Sequence, residues 1–238
     1  MKGVFLFFTV CVFSFACLAQ DLKTVEVPRG AQRQSKQVVD GITTHNYTKK
    51  SNVPVNGNPY FEQDFLPGIL ELNDGSKSDE MPIRYNIASD AFEVIQSSDT
   101  LSLNQPYKLK QIIYDDRVFI FDPELRAKAE RKYNGFFELK VKGELSLYIK
   151  RNKDLLLDSF TSNYQGGSGT KEYYYVDKVS YVGKFNDGSG FLIKSKKEFL
   201  DRVDGQEKSD IKSFIKKNKI KFKSEEDIVK LVEYVNSI

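Results

Sequence analysis

Beyond residue 19 this chain has no cysteine, it has no tryptophan at all, and its only histidine is His45. Those gaps exclude several kinds of chemistry. Without thiols there is no Cys-His nucleophile, and one imidazole cannot supply the His and Cys ligand sets of zinc or haem. A serine triad would have to recruit His45 from a polar arm, where nothing holds a base rigidly beside its nucleophile. Excess charge is missing too. A formal net charge of +3, from 36 basic and 33 acidic residues, argues against nucleic acid as a partner. After Gln20 no apolar run approaches the roughly eighteen residues of a transmembrane helix.

What is present starts at the N-terminus. Lys2, the apolar run from Val4 to Phe15 and the small-x-small site Cys17-Leu18-Ala19 before Gln20 make the three-part pattern of a secretory signal over residues 1–19. Cleavage after Ala19 would release a free periplasmic or secreted protein. The competing reading takes Ser14-Phe15-Ala16-Cys17 as a lipobox, although it lacks the usual Leu, and makes Cys17 an acylated first residue. Lipidation at Cys17 is the one route by which membrane contact is expected. Cleavage after Ala19 also removes both cysteines, so the exported chain must be held by burial instead of disulfides. Its 40% hydrophobic and 13% aromatic content supplies the material.

Residues 20–58 are polar, interrupted by Pro28, Gly30, Pro54 and Gly57, and read as a mostly disordered arm with room for a short strand over Thr24 to Val27. Asn46-Tyr47-Thr48 matches a glycosylation acceptor, a pattern common by chance. Residues 59–194 read as an antiparallel β-domain. Ile69 to Leu72 and Met81 to Ile87 flank Asn73-Asp74-Gly75; Ala91 to Gln96 follows Ser89-Asp90; Thr100 to Leu103 offers an edge strand. Leu109 to Tyr114 and Arg117 to Asp122 flank Asp115-Asp116 as a hairpin. Phe137, Leu139 and Val141 alternate with Glu138 and Lys140, which predicts a buried face and a wet one, and Leu145, Leu147 and Ile149 repeat the period. Val179 to Phe185 and Gly190 to Lys194 close the sheet around Asn186-Asp187-Gly188.

From Ser195 the period shifts to about 3.6. Ser195 with Glu198, and Ser224 with Asp227, have capping-box spacing. Ile211, Phe214 and Ile215 line one helix, and Ile228, Leu231, Val232 and Val235 another, with a shorter helix before them. Residues 195–238 are therefore expected to be a helical hairpin packed on the sheet.

Candidate sites are few. The glycine-rich stretch Gly166 to Thr170 has Gly-Thr-Lys order, wrong for a nucleotide-binding P-loop, and reads as a flexible hairpin loop. The acids at Asp74, Asp79 and Glu80, and at Asp115, Asp116 and Asp122, lack calcium-loop spacing and suit turns. No metal or other cofactor is expected. Glu138 and Glu144 are the carboxylate pair that keeps a glycan hydrolase open, but their alternation places them on a wet face, where a raised pKa has no source. Tyr173, Tyr174, Tyr175 and Tyr181 form one candidate binding surface, as stacking aromatics on strands. The basic link containing Lys216, Lys217, Lys219, Lys221 and Lys223, interleaved with Ile220 and Phe222, is the other.

Gly57-Asn58-Pro59-Tyr60-Phe61, the Leu72-Asn73-Asp74-Gly75 turn leading to Pro82-Ile83-Arg84-Tyr85-Asn86, and Phe214 to Lys219 through Leu231 to Val235 resemble an exported protein family of Bacteroidota-type bacteria. That resemblance implies an envelope address and carries no activity or site residue. The expected fold is α+β, mainly an antiparallel β sandwich or half-open barrel with a C-terminal helical hairpin. The expected function is a non-enzymatic exported binding module whose partner is an envelope protein or a polysaccharide; a carboxylate-dependent glycan hydrolase is the alternative. The sequence does not set the oligomeric state.

Overall fold

The computed structural model describes Val39 and residues 41–45, 55–125, 135–158, 172–203 and 207–238. The signal segment with Cys17, the Thr24 to Val27 strand, the Asn46 acceptor and the Gly166 to Thr170 loop lie outside the described residues. The strands are β1 (Thr43–His45), β2 (Val55–Asn56), β3 (Leu66–Leu72), β4 (Met81–Asn86), β5 (Ala91–Gln96) and β6 (Asp99–Leu103). They continue as β7 (Leu109–Tyr114), β8 (Arg117–Phe121), β9 (Phe136–Val141), β10 (Leu145–Asp158), β11 (Glu172–Phe185) and β12 (Gly190–Leu192). The helices are α1 (Lys196–Leu200), α2 (Glu207–Lys217) and α3 (Glu225–Val235).

Among the described residues all strands join one open sheet in the order β1-β6-β5-β4-β3-β7-β8-β9-β10-β11-β12, with β2 added to β11 in parallel. The α+β class follows directly. The turns have the chemistry that short hairpins need: Ser97 and Ser98 (φ +51° and +75°) join β5 to β6, and Asp115 and Asp116 (φ +48° and +57°) join β7 to β8. From β3 to β12 the meander breaks once. After β6 the chain returns through the 3₁₀ turn Pro106–Lys108, so that β7 pairs with β3.

The N-terminal part of this sheet is rolled. β5 and β8 are four strand steps apart, about 19 Å in a flat sheet at roughly 4.8 Å per step. Yet the Phe92 and Phe119 rings lie 5.2 Å apart and meet edge to face, and Phe92 also meets Phe136 at 5.0 Å. This half-open barrel encloses a core of Leu70, Ile83, Tyr85, Phe92, Ile112, Tyr114 and Phe119, all at most 1% exposed. The sheet also reaches back into the polar arm. Val39 and Ile42 are each 1% exposed in this core, and β1 pairs with β6, which is therefore not an edge strand. Val39 and Ile42 sit in a polar segment with no strand or helix period, so the pattern hid them.

Gly68 on β3 marks a tight crossing. A Cβ there would sit 2.6 Å from the Ile113 carbonyl oxygen and 2.8 Å from Ile83 Cδ1. Because the first obstacle is backbone, Gly68→Ala is expected to cost about 1–3 kcal/mol, the range of core overpacking. Urea unfolding would show this as a lower midpoint at unchanged slope.

The second core lies under the helices. Leu145, Leu147 and Ile149 of β10 pack with Phe191, Ile193, Phe199, Ile211, Ile215, Ile228, Leu231 and Val232. The Glu198 amide donates to Ser195 Oγ at 3.3 Å and the Asp227 amide to Ser224 Oγ at 3.4 Å, the two helix starts expected from spacing. Phe214 and Tyr234 stack at 4.0 Å between α2 and α3. The Asn236 side chain then bonds both backbone polar groups of Leu145, at 2.9 and 3.0 Å, and pins the end of α3 to β10.

Among the described residues charged groups are buried at four places, one of them Glu93 of β5, which Arg84 of β4 meets at 2.7 Å. Asp90, 0% exposed in the β4–β5 turn, faces Lys150 of β10, 2% exposed. Glu138 of β9, also 2% exposed, joins Arg151, Lys140 and Glu225. Glu71 of β3 takes Lys110 Nζ at 2.6 Å, Gln111 Nε2 at 2.9 Å and Lys77 Nζ at 3.3 Å. The Lys110 hydrogen bond, with those from Gln111 and Lys77, outweighs burial and holds the Glu71 carboxyl down to about 2. A depressed carboxylate stabilises the fold above its ordinary pKa and loses that contribution as pH falls through the folded value. The stability gap between wild type and Glu71→Gln should therefore be full above about pH 5 and close between there and about pH 2. Urea titrations at a series of pH values would read it; a gap constant with pH would mean Glu71 is not held by its cations.

Candidate functional site: an apolar ribbon

β10 and β11 pair over their whole fourteen-residue lengths, whereas β9 pairs with β10 only at Leu147, Tyr148 and Ile149. Their far halves thus run on as a ribbon edged only by the two residues of β2. Opposite residues in an antiparallel pair share a face. The register sets Leu155 opposite Tyr175, Leu156 opposite Tyr174 and Leu157 opposite Tyr173, three consecutive Leu–Tyr pairs on alternating faces. Leu155, Leu156 and Leu157 are 46%, 44% and 41% exposed, and Tyr174 is 39% exposed.

The two faces differ in what covers them. β2 pairs in parallel with the edge of β11 at Tyr173 and Tyr174, and beyond it Gly57, at φ +99°, turns the chain over Tyr175 on the Leu155–Tyr175 face. The Lys153 ammonium on that face donates to the carbonyls of Asn58 (2.7 Å) and Tyr60 (3.0 Å), fastening this crossing segment. Below it, Arg84 stacks 3.7 Å over Tyr60, and Arg151 sits 5.3 Å from the Phe61 ring centre. Asp154 and Lys178 pair on the opposite face, which carries Leu156 and Tyr174. Nothing among the described residues makes that pair a core contact. A ribbon with apolar groups on both faces is marginal alone in water, and large exposed apolar patches mark contact surfaces.

The candidate residues separate in space. Tyr173, Tyr174 and Tyr175 stand together on the ribbon. Tyr181 does not join them: at 7% exposed it belongs to the second core, which corrects its place on a stacking platform. Its period matched the other tyrosines, but β12 and the α2–α3 link cover that stretch of β11. Burial pushes the Tyr181 phenol up, with Glu225 adding to the shift, and its hydroxyl reaches the Lys223 carbonyl at 3.5 Å. Lys216, Lys217, Lys219, Lys221 and Lys223 are exposed around the end of α2, while Ile220 and Phe222 between them turn into the helical core. Lys223 alone meets a tyrosine position, at the rim of a cleft of about 480 Å³ that Val179, Tyr181, Leu192, Ile193 and Phe222 also line.

Glu138 needs a second correction. It is buried, not on a wet face, because Lys140, expected to decorate that face, and Arg151 of β10 fold over it. Arg151 Nε and Nη2 both donate to Glu138 Oε2, at 3.1 and 3.0 Å. Glu144 lies exposed in the β9–β10 turn and does not face it. The pair so placed gives no acid and base across a substrate cleft. Among the described residues no His, Cys, Asp and Glu group has the arrangement of a metal site.

Leu155 to Leu157 escaped the sequence reading. The signal was there: three leucines and three tyrosines mirrored about the glycine-rich stretch, which fixes the register once a hairpin is assumed. No protein-family model, curated protein or solved structure matches this chain.

Proposed function

We propose that this chain is a non-enzymatic, exported binding protein of the cell envelope and that the β10–β11 ribbon seats an apolar surface of an envelope protein. The observation that carries this reading is the exposed Leu–Tyr ladder. Tyrosine gives large contact area at low entropic cost, and leucine beside it adds burial at about 25 cal/mol per Å². A polysaccharide would favour a flat aromatic face without leucines, because a sugar ring stacks on a π-surface. The alternation here presents both kinds of side chain to both sides, which suits a protein groove. The export address rests on the pattern of residues 1–19.

A photo-crosslinking residue at position 156, in the native host, tests it. The expected result is one reproducible adduct with an envelope protein, lost when Tyr174→Lys is added while the unfolding midpoint stays within error of the parent. Adducts only with a second copy of the chain, or none together with retention on envelope polysaccharide, would overturn it.

A further inference from the structure

Asp90 and Lys150 do more than meet. Lys150 Nζ lies 2.5 Å from Asp90 Oδ2, with the two side chains 2% and 0% exposed. The Gly135 amide donates to the same oxygen at 2.7 Å, and the Tyr85 hydroxyl donates to Asp90 Oδ1 at 2.5 Å. Lys150 Nζ also donates to the Phe136 carbonyl at 2.9 Å and lies 5.5 Å from the Phe137 ring centre. Phe92 and Phe136 pack around Tyr85, 4.4 and 6.4 Å from its ring. An amine and a carboxyl are therefore held in contact, out of water, in an aromatic site.

We propose that Lys150 and Asp90 form an intramolecular amide, a covalent cross-link between β10 and the β4–β5 turn. Removing both charges from water is costly, and a proton passed from Lys150 to Asp90 turns the ion pair into a neutral amine and a carboxylic acid. The amine nitrogen attacks Asp90 Cγ. The developing charge on Oδ2 faces the Gly135 N–H, which acts as an oxyanion donor. Oδ1 leaves as water, taking protons supplied by the acid and the amine, with the Tyr85 hydroxyl beside it to relay them. Burial, reinforced by the Asp90 charge, keeps the Tyr85 phenol well above its ordinary pKa and so protonated.

Ammonium and carboxylate go to amide and water with no change in net charge and no oxidant, cofactor or activating group. Contact geometry supplies the effective concentration. The site also fits the product: the amide N–H keeps the Phe136 carbonyl, and the amide oxygen keeps the Gly135 N–H. In a chain whose cysteines all lie in its first nineteen residues, such a link would do the work of a disulfide without depending on redox state.

Mass spectrometry of the purified wild-type chain decides. Trypsin should yield no peptide ending at Lys150. It should instead yield a branched species joining residues 85–108 to residues 143–151, lighter than their sum by one water, with fragment ions placing the junction at Asp90 and Lys150. Lys150→Arg and Asp90→Ala should each restore the linear peptides. A linear 143–150 peptide in full yield from folded wild-type protein, with no branched species, would overturn the proposal whatever the variants do.

Discussion

Lys150→Met should lower the stability of the protein by at least about 3–5 kcal/mol, the range for removing one partner of a buried ion pair, because it strands Asp90 whether Lys150 meets it as an ammonium or through the amide proposed above. The loss comes from what is left behind. Asp90, 0% exposed, would keep the Tyr85 hydroxyl and the Gly135 amide but lose the cation that balances its charge. Methionine fills much the same volume as the lysine stem, so a cavity contributes little. Adding Asp90→Asn should return part of the loss. Asparagine is neutral, its side-chain oxygen can accept from the Gly135 amide while its NH2 group donates to the Tyr85 hydroxyl oxygen, and it tolerates the φ of +51° that a branched residue would not. Urea denaturation of wild type, single and double variants measures both terms: the recovery gives the cost of the stranded charge, and the remaining deficit gives what the link between β10 and the β4–β5 turn contributes. A single-variant loss under about 1 kcal/mol would mean that the pair is exchanging with water and is not buried as described.

The turns and helices were legible because their signals are local. Asn-Asp-Gly at residues 73–75, Asp115-Asp116 and Asn186-Asp187-Gly188 each sit where the backbone requires residues that accept tight turns, and Ser195 and Ser224 cap the helices that their spacing announced. What was not legible depends on partners far along the chain. Glu138 alternates with leucine and lysine like any solvated strand residue, yet Arg151 and the helix residue Glu225 close over it. Val39 and Ile42 enter a core whose other walls begin at Leu70 and run on to Phe136, with Thr43 pairing as far along as Leu103. Asp90 and Ser89 looked like a turn and nothing else. The turn is real, but the acid in it points into the rolled sheet, where Tyr85 and Lys150 receive it. The ribbon was half read: its tyrosines stood out by composition, and its leucines became a site only when the register set them opposite.

Glu138→Ala should cost about 3 kcal/mol, the lower end of the buried-pair range, because Arg151 keeps a second carboxylate in Glu225 at 2.8 Å. Glu138 is the hub that ties three elements together: β9 through its own backbone, β10 through Arg151, and α3 through Glu225, which Lys140 also bridges at 3.2 Å. Burial pushes the Glu225 carboxyl up, but the hydrogen bonds and charges of Arg151 and Lys140 outweigh it and leave it lowered. Its contribution is therefore complete above its ordinary pKa and is lost as pH falls through the folded value. With Glu138 gone, Arg151 can follow Glu225 outward, so hydrogen exchange should rise in the first turn of α3 more than in β5 or β7. The same variant weighs the two functional readings. If Glu138 only fastens the helices to the sheet, Glu138→Gln loses stability and no activity appears in wild type to be lost. Glycan hydrolysis by wild type that vanishes in Glu138→Gln at unchanged stability would make Glu138 a catalytic acid and displace the binding-protein reading.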